Sequence, residues 1–137
     1  MKRSATARWN GNLKDGNGTF GVQSGAFTNQ KFSFRTRFET EPGTNPEELI
    51  AAAHASCFSM ALSAQLGERG ITPASVETAC DVTFENLALT RSLLRTKVTA
   101  PGADRAKVEE AAAAAKAGCP ISKVLNLEIA LELTVEA

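Results

Sequence analysis

From Leu49 to Leu66 the chain runs through eighteen residues without one Asp, Glu, Lys or Arg. The 137 residues as a whole carry fifteen basic and fifteen acidic side chains, so a gap of this length constrains the fold more than any other feature. Its start is marked. Asn45, Pro46 and Glu48 have the form of an N-cap, a first-turn proline and a capping-box partner, which predicts a helix from here to about Leu66, closing near Gly67 or Gly70. A surface helix keeps a polar stripe. The missing charges therefore predict burial on nearly every side, by the chain's own sheet and by another element or subunit.

Strands surround this helix in the sequence. Ser4 to Trp9 reads as an edge strand, the glycine- and asparagine-rich stretch Asn10 to Gly18 as hairpin turns, and residues 19–22 as the returning strand. KFSFRTRFE alternates from Lys31 to Glu39, which predicts a strand with Phe32, Phe34, Thr36 and Phe38 on one face and Ser33, Arg35 and Arg37 on the other. In SVETACDVTF the residues Val76, Thr78, Cys80, Val82 and Phe84 share a face, which puts Cys80 in the core. Residues 91–99 supply a partner strand. A second helix, rich in alanine, is predicted from Asp104 to Ala117, with Gly118 suited to its cap and Pro120 to the first turn of a short helix reaching Leu125. The last strand places Leu127, Ile129, Leu131, Leu133 and Val135 inward. The order is β-β-β-α-β-β-α-α-β, an α+β arrangement, and the length predicts a single domain spanning 1–137.

Composition excludes several classes of function. The formal net charge is zero and no basic cluster occurs, which disfavours nucleic acid and membrane partners. The N-terminal residues have no apolar run behind Lys2 and Arg3, so no signal or anchor is visible and a cytoplasmic location is the expectation. One histidine, three cysteines without close ligand spacing and no HExxH arrangement leave little from which to build a metal site, although His54, Cys57 and Cys119 could in principle share one. No GxGxxG or GxxxxGK pattern points to a bound nucleotide.

The chemistry points to two cysteines. Cys57 lies in the middle of the uncharged helix, where burial alone would raise its pKa and leave it an inert core residue unless a positive charge helps it. It shares a helix face with Ile50, Ala53, Ala61 and Ala64, small enough to admit another group. Cys119 sits between Gly118 and Pro120, where amide donors of a starting helix would favour its anion. A sulfenic acid formed on one thiol can be closed to a disulfide by another that reaches it. Arg35 or Arg37 could supply the positive charge, with Glu47 holding the guanidinium, or both arginines could simply be solvated. Cys80 reads as structural. His54, one turn before Cys57, could be proposed as a base, but a core or capping histidine fits better because no third orienting group or oxyanion hole is evident.

The blocks TRFE at 36–39, GTNPEELIAAAHASCFSMAL at 43–62 and KAGCPISKVL at 116–125, supported by ARW and the glycine-rich turn after it, resemble the OsmC/Ohr family of organic hydroperoxide reductases, and its OsmC branch in particular. The similarity runs in order through nearly the whole chain. It implies an intertwined homodimer with sheets packed around long central helices and active sites at the subunit interface. By the same resemblance Cys57 attacks the peroxide, Cys119 resolves the sulfenic acid as a Cys57–Cys119 disulfide, Arg37 is the catalytic arginine and Glu47 orients it. Glu48 matches a second acidic position, read mainly as capping, and Arg35 receives no role. The implied substrates are organic hydroperoxides. The implied reductant is an external dithiol, with a lipoylated protein as partner, and no metal or bound cofactor is implied. Residues 84–93 look shorter than the matching connection in the family.

Three rival functions remain consistent with the residues: non-catalytic binding of a lipid or small molecule, a thiol redox sensor, and a cysteine hydrolase.

Overall fold

Turn chemistry and alternation near the N-terminus produce a three-stranded antiparallel meander in the computed structural model, which describes residues 1–137. Strands β1 (Ala5–Asn10), β2 (Asn17–Val22) and β3 (Gln30–Phe32) lie in the order β1-β2-β3, with Ala7 opposite Phe20 and Thr19 opposite Lys31. Aromatic rings hold one side of it. Trp9 and Phe32 lie with centroids 5.6 Å apart, and Phe20 meets Phe27 at 6.2 Å and Phe32 at 6.3 Å. Tilted pairs at these separations contribute beyond simple area burial.

The strand expected from Lys31 to Glu39 is not formed. Pairing stops at Phe32, and Phe34–Phe38 is a short helix, α1. The cause is Ser33. Its hydroxyl accepts from the Thr36 amide at 3.1 Å while the Thr36 hydroxyl accepts from the Ser33 amide at 2.8 Å, a reciprocal capping box. Phe34 and Phe38 share parity in a strand but are also i, i+4 neighbours on a helix, and here their rings lie 4.8 Å apart. Over five residues the two periods cannot be told apart by apolar positions alone, so the local cap decides.

Helix α2 (Pro46–Glu68) begins as expected. The Asn45 side chain accepts from the Glu48 amide at 2.8 Å. At the other end Gly70, at φ 73°, closes the helix: Ile71 donates to the Leu66 carbonyl at 2.9 Å and Gly70 to that of Gly67 at 3.0 Å, a Schellman motif.

Two compact units result, Met1–Leu49 and Ile50–Ala137. In the second, strands β4 (Ser75–Glu85), β5 (Ala88–Thr99) and β6 (Glu128–Glu136) form a sheet in the order β4-β5-β6. The β4–β5 pair is a hairpin. Strands β5 and β6 run parallel, and the crossover that parallel pairing requires is supplied by α3 (Arg105–Gly118) and α4 (Pro120–Val124). On β5, Ser92, Leu94, Thr96 and Val98 are the buried face. They pack into one core with Phe58, Leu62 and Leu66 of α2, Val108 and the buried alanines of α3, and Val135 of β6. Alanine at 111, 112 and 115 lets α3 come close to its neighbours at little entropic cost.

The burial expected around all of α2 is not met within one chain. His54, Phe58, Leu62 and Leu66 form a single buried stripe, four residues apart, which is as much of a helix as one packing layer covers. Ala53, Ser56, Ser63, Ala64 and Gly67 are exposed, and Met60 is 75% exposed. By length and composition this helix could also cross a membrane, but its buried stripe makes it a core element of the second unit.

The β4–β5 turn is made by Asn86 and Leu87, at φ 50° and 60°, a two-residue connection between Glu85 and Ala88. Both turn residues need positive φ, which suits Asn but strains Leu. Replacing the exposed Leu87 by glycine is expected to stabilise the reduced protein by about 1 kcal/mol, read as a higher urea midpoint at unchanged slope.

Candidate active site

Cys57 lies near the middle of α2 and is half-buried, and Cys119 is fully buried. What brings them together is the break between α3 and α4. Pro120 has no amide hydrogen and cannot continue α3, yet it suits the first position of a new helix. Cys119 is therefore both the last cap of α3, donating its amide to the Ala115 carbonyl at 2.8 Å, and the N-cap of α4, with φ −58° and ψ 123°. The turn at this residue points its sulfur to α2. The two Sγ atoms are 3.0 Å apart, with both cysteines free. A disulfide needs about 2.05 Å, so about 1 Å of approach separates the thiols from the bond.

The two thiols are biased in opposite directions. Burial pushes Cys57 up, and the neighbouring Cys119 sulfur adds to this, while the Ile121 amide works the other way. Burial also opposes the Cys119 anion, but the Cys57 thiol, the amide and hydroxyl of Ser122 and the Ile121 amide together outweigh it and hold Cys119 below its ordinary value. These amides act on the sulfur without making a cap hydrogen bond of regular geometry. Of the two thiols, Cys119 is therefore the one biased towards its anion.

The predicted arginine and glutamate also meet, in the first unit. Arg37, on α1, donates from Nη2 at 2.7 Å and from Nε at 3.1 Å to the same oxygen, Oε1 of Glu47 in the first turn of α2. The guanidinium carbon lies 5.4 Å from the Phe38 ring centroid, within cation–π range. Arg35 is exposed, and Glu48 serves the N-terminus of α2 through its backbone amide. Beside Arg37 is a cavity of about 270 Å³ walled by Trp9, Leu13, Phe32, Phe34, Phe38 and Pro46. The expected strand also put Phe32, Phe34 and Phe38 on one face, but only the helical form brings Phe34 and Phe38 into contact on this wall.

His54 is buried as anticipated, but its connections were missed. Nδ1 lies 2.7 Å from the Ser92 hydroxyl and Nε2 lies 2.8 Å from the Ser122 hydroxyl. Cys80 joins the same chain, its sulfur 3.1 Å from Ser92 Oγ. Burial pushes the Cys80 thiol up, a hydrogen bond with Ser92 works the other way, and the nearby Asp81 charge adds to the rise. The signal in the sequence was Ser92, a polar residue at an inward position of β5.

The sign of the Cys119 bias has a consequence for stability. The folded chain releases the Cys119 proton at lower pH than the unfolded chain, whose thiol titrates near the ordinary 9.0. Its contribution to stability thus grows with pH from the folded value up to 9.0 and is fully present above it, with a slope of at most about 1.4 kcal/mol per pH unit. Cys57 and Cys80 are raised, so their contributions are complete below 9.0 and fade as pH climbs through their folded values. In urea unfolding of the reduced proteins, the stability of the parent relative to Cys119→Ser is expected to increase from neutral pH to pH 9; a flat difference would contradict the bias.

Comparison with known proteins identifies the family. A family profile described as OsmC-like protein matches residues 39–134. The chain is 46% identical over 141 aligned positions to Peroxiredoxin OsmC of Escherichia coli (strain K12), covering 100% of this chain and 99% of the relative, and it matches Peroxiredoxin OsmC of Shigella flexneri to the same extent. Among solved structures, the organic hydroperoxide resistance protein OhrB of Bacillus subtilis superposes with a TM-score of 0.70 at 27% identity, covering 98% of each chain. An OsmC-like protein of Mycoplasma pneumoniae shares the fold with a TM-score of 0.77 at 16% identity, over 100% of this chain and 99% of the other. By sequence and by its α+β fold, this chain belongs to the OsmC/Ohr family and to its OsmC branch.

Proposed function

We propose that this protein is a cysteine-based peroxidase that reduces organic hydroperoxides to alcohols. The observation that carries the reading is the 3.0 Å contact between Cys57 and Cys119, two free thiols contributed by separate helices. Family membership supports it, as do the relatives named peroxiredoxin and organic hydroperoxide resistance protein.

Accessibility supports the division of roles in this reading. Cys57 is the half-buried thiol and the one a peroxide can reach, whereas Cys119 is sealed. The Cys57 thiolate attacks the outer oxygen of ROOH; the O–O bond breaks, the sulfur keeps the hydroxyl as a sulfenic acid, and the alkoxide takes a proton to leave as ROH. The Cys119 thiolate then attacks the Cys57 sulfur. The S–S bond forms, and hydroxide leaves and is protonated to water. Two thiols have lost two electrons and the peroxide has gained them. An external dithiol returns the pair by exchange, and a lipoylated protein is the partner of that chemistry in this reading.

In this reading Arg37, held by Glu47, is the cation that serves Cys57 at the subunit interface of the homodimer. The cavity beside Arg37, walled by aromatic and aliphatic side chains, suits the organic part of a hydroperoxide. The working state in this reading is an intertwined homodimer, supported by the exposed small-residue face of α2 and its Met60. The family match runs from 39 to 134, across the boundary between the two units, which supports treating 1–137 as one OsmC-like domain. A cytoplasmic location completes the reading, since a reducing compartment keeps both thiols available.

The test is anaerobic addition of cumene hydroperoxide, intact-mass and peptide analysis, and repeated additions with a dithiol present. The parent should lose two hydrogens in a Cys57–Cys119 disulfide and cycle many times. Cys57→Ser should abolish turnover, and Cys119→Ser should stop at a sulfenic acid on Cys57. Arg37→Ala should slow the first step by roughly 10²-fold, as loss of one charge-stabilising donor does elsewhere, and Arg35→Ala far less. Peroxide consumption by Cys57→Ser equal to that of the parent would sink the proposal.

A further inference from the structure

His54 is fully buried, and each of its ring nitrogens has a serine hydroxyl as partner. Ser92 is itself fully buried, and no buried side-chain nitrogen or oxygen in the chain lacks a partner. Such an arrangement has a direction. A neutral imidazole offers one donor and one acceptor, so one serine must give a proton to the ring and the other must receive one. Burial lowers the imidazole pKa, so the ring stays neutral.

The neighbours at the two ends select between the two directions. At one end the Ser122 hydroxyl acts on the Cys119 sulfur and favours its anion, so Ser122 spends its proton on Cys119 and accepts from Nε2–H. Nδ1 is then the acceptor and takes the Ser92 hydroxyl proton at 2.7 Å. Ser92 Oγ accepts in turn from the Cys80 thiol at 3.1 Å. The titratable groups that meet this chain are Cys57 and Cys119 at one end and Cys80 at the other, with the exposed Asp81 next to Cys80. The reverse order would have Nδ1–H donate to Ser92 and Ser92 to Cys80; it is disfavoured because burial keeps the proton on Cys80 while the anion is favoured at Cys119.

We infer that His54 is a positioning residue for the disulfide chemistry: as its Nε2–H tautomer it orients the Ser122 hydroxyl onto the Cys119 sulfur, with Ser92 and the thiol of Cys80 holding that tautomer from the other side. Cys80 thereby acquires a part as the terminal donor of the chain without entering the redox reaction. The inference builds on the proposed use of Cys119 as resolving thiol. Neither readout below requires turnover, so a protein inactive towards peroxide could still obey it, and an active one could still refute it.

The chain has a single histidine, so its imidazole signals need no assignment. In long-range ¹H–¹⁵N spectra of the reduced, ¹⁵N-histidine-labelled protein at neutral pH, Nε2 is expected to be pyrrole-like and Nδ1 pyridine-like; an Nδ1–H tautomer or an imidazolium would overturn the inference. A second measurement follows the ¹³Cβ shifts of labelled cysteines against pH, which reports each thiol without a reagent having to reach buried Cys119. Ser122→Ala is expected to lower the thiolate-to-thiol ratio of Cys119 about tenfold at a fixed pH, equivalent to a shift of about one pH unit. Ser92→Ala, which removes no contact to Cys119, should lower it by about threefold while mixing the two tautomers. His54→Gln, which keeps an N–H donor, should retain more of the Cys119 anion than His54→Leu. Should His54→Leu fail to fold, the serine variants and the tautomer still decide. An unchanged Cys119 titration in Ser122→Ala and Ser92→Ala would overturn the inference.

Discussion

The contact on which the redox site depends is made by a backbone break. Helix α3 ends because Pro120 cannot donate the next hydrogen bond, and α4 starts because the same proline suits a first turn. Cys119 sits at the junction with its amide spent on α3 and its side chain released from the helical direction. An uninterrupted helix would carry its sulfur along with the turns of α3. The same break lets the crossover between β5 and β6 finish, so the element that completes the parallel sheet also delivers the second thiol to Cys57.

That geometry divides labour between two similar groups. The sealed sulfur is stabilised as an anion by several polar neighbours, whereas the reachable one is raised by burial and by its partner. A nucleophile pushed up in this way is slow at neutral pH, because its thiolate fraction is small. The Arg37–Glu47 pair is the sort of fixed cation that would reverse the balance, and its two hydrogen bonds to one carboxylate oxygen hold the guanidinium plane in a defined direction.

Much of this was legible in the residues. The cap at Asn45, the helix start near Asp104, the inward parity of β4 and β6, and the Gly-Cys-Pro punctuation all state local geometry, and each was realised within a residue or two. The contact between the two sulfurs and the pairing of Arg37 with Glu47 could be expected from the family resemblance, which chose Arg37 where alternation left it equal to Arg35. Two things were not legible. The Phe34–Phe38 helix was hidden because five residues carry too little periodicity to oppose an alternating pattern, and Ser33-x-x-Thr36 is a weaker capping signal than one ending in Glu. The His54 network was hidden because its members, at 54, 80, 92 and 122, are joined only by tertiary packing. A buried serine announces that it needs a partner without saying which.

The aromatic wall beside Arg37 has one further property. The chain has one tryptophan and no tyrosine, and that tryptophan, Trp9, belongs to this wall and stacks on Phe32. Red-edge ultraviolet emission from the whole protein therefore originates in a single indole, located in the unit that holds the guanidinium and not in the one that holds the sulfurs. Its colour and quenching report local polarity at that wall, which gives the chain an intrinsic optical gauge of the cavity beside the guanidinium.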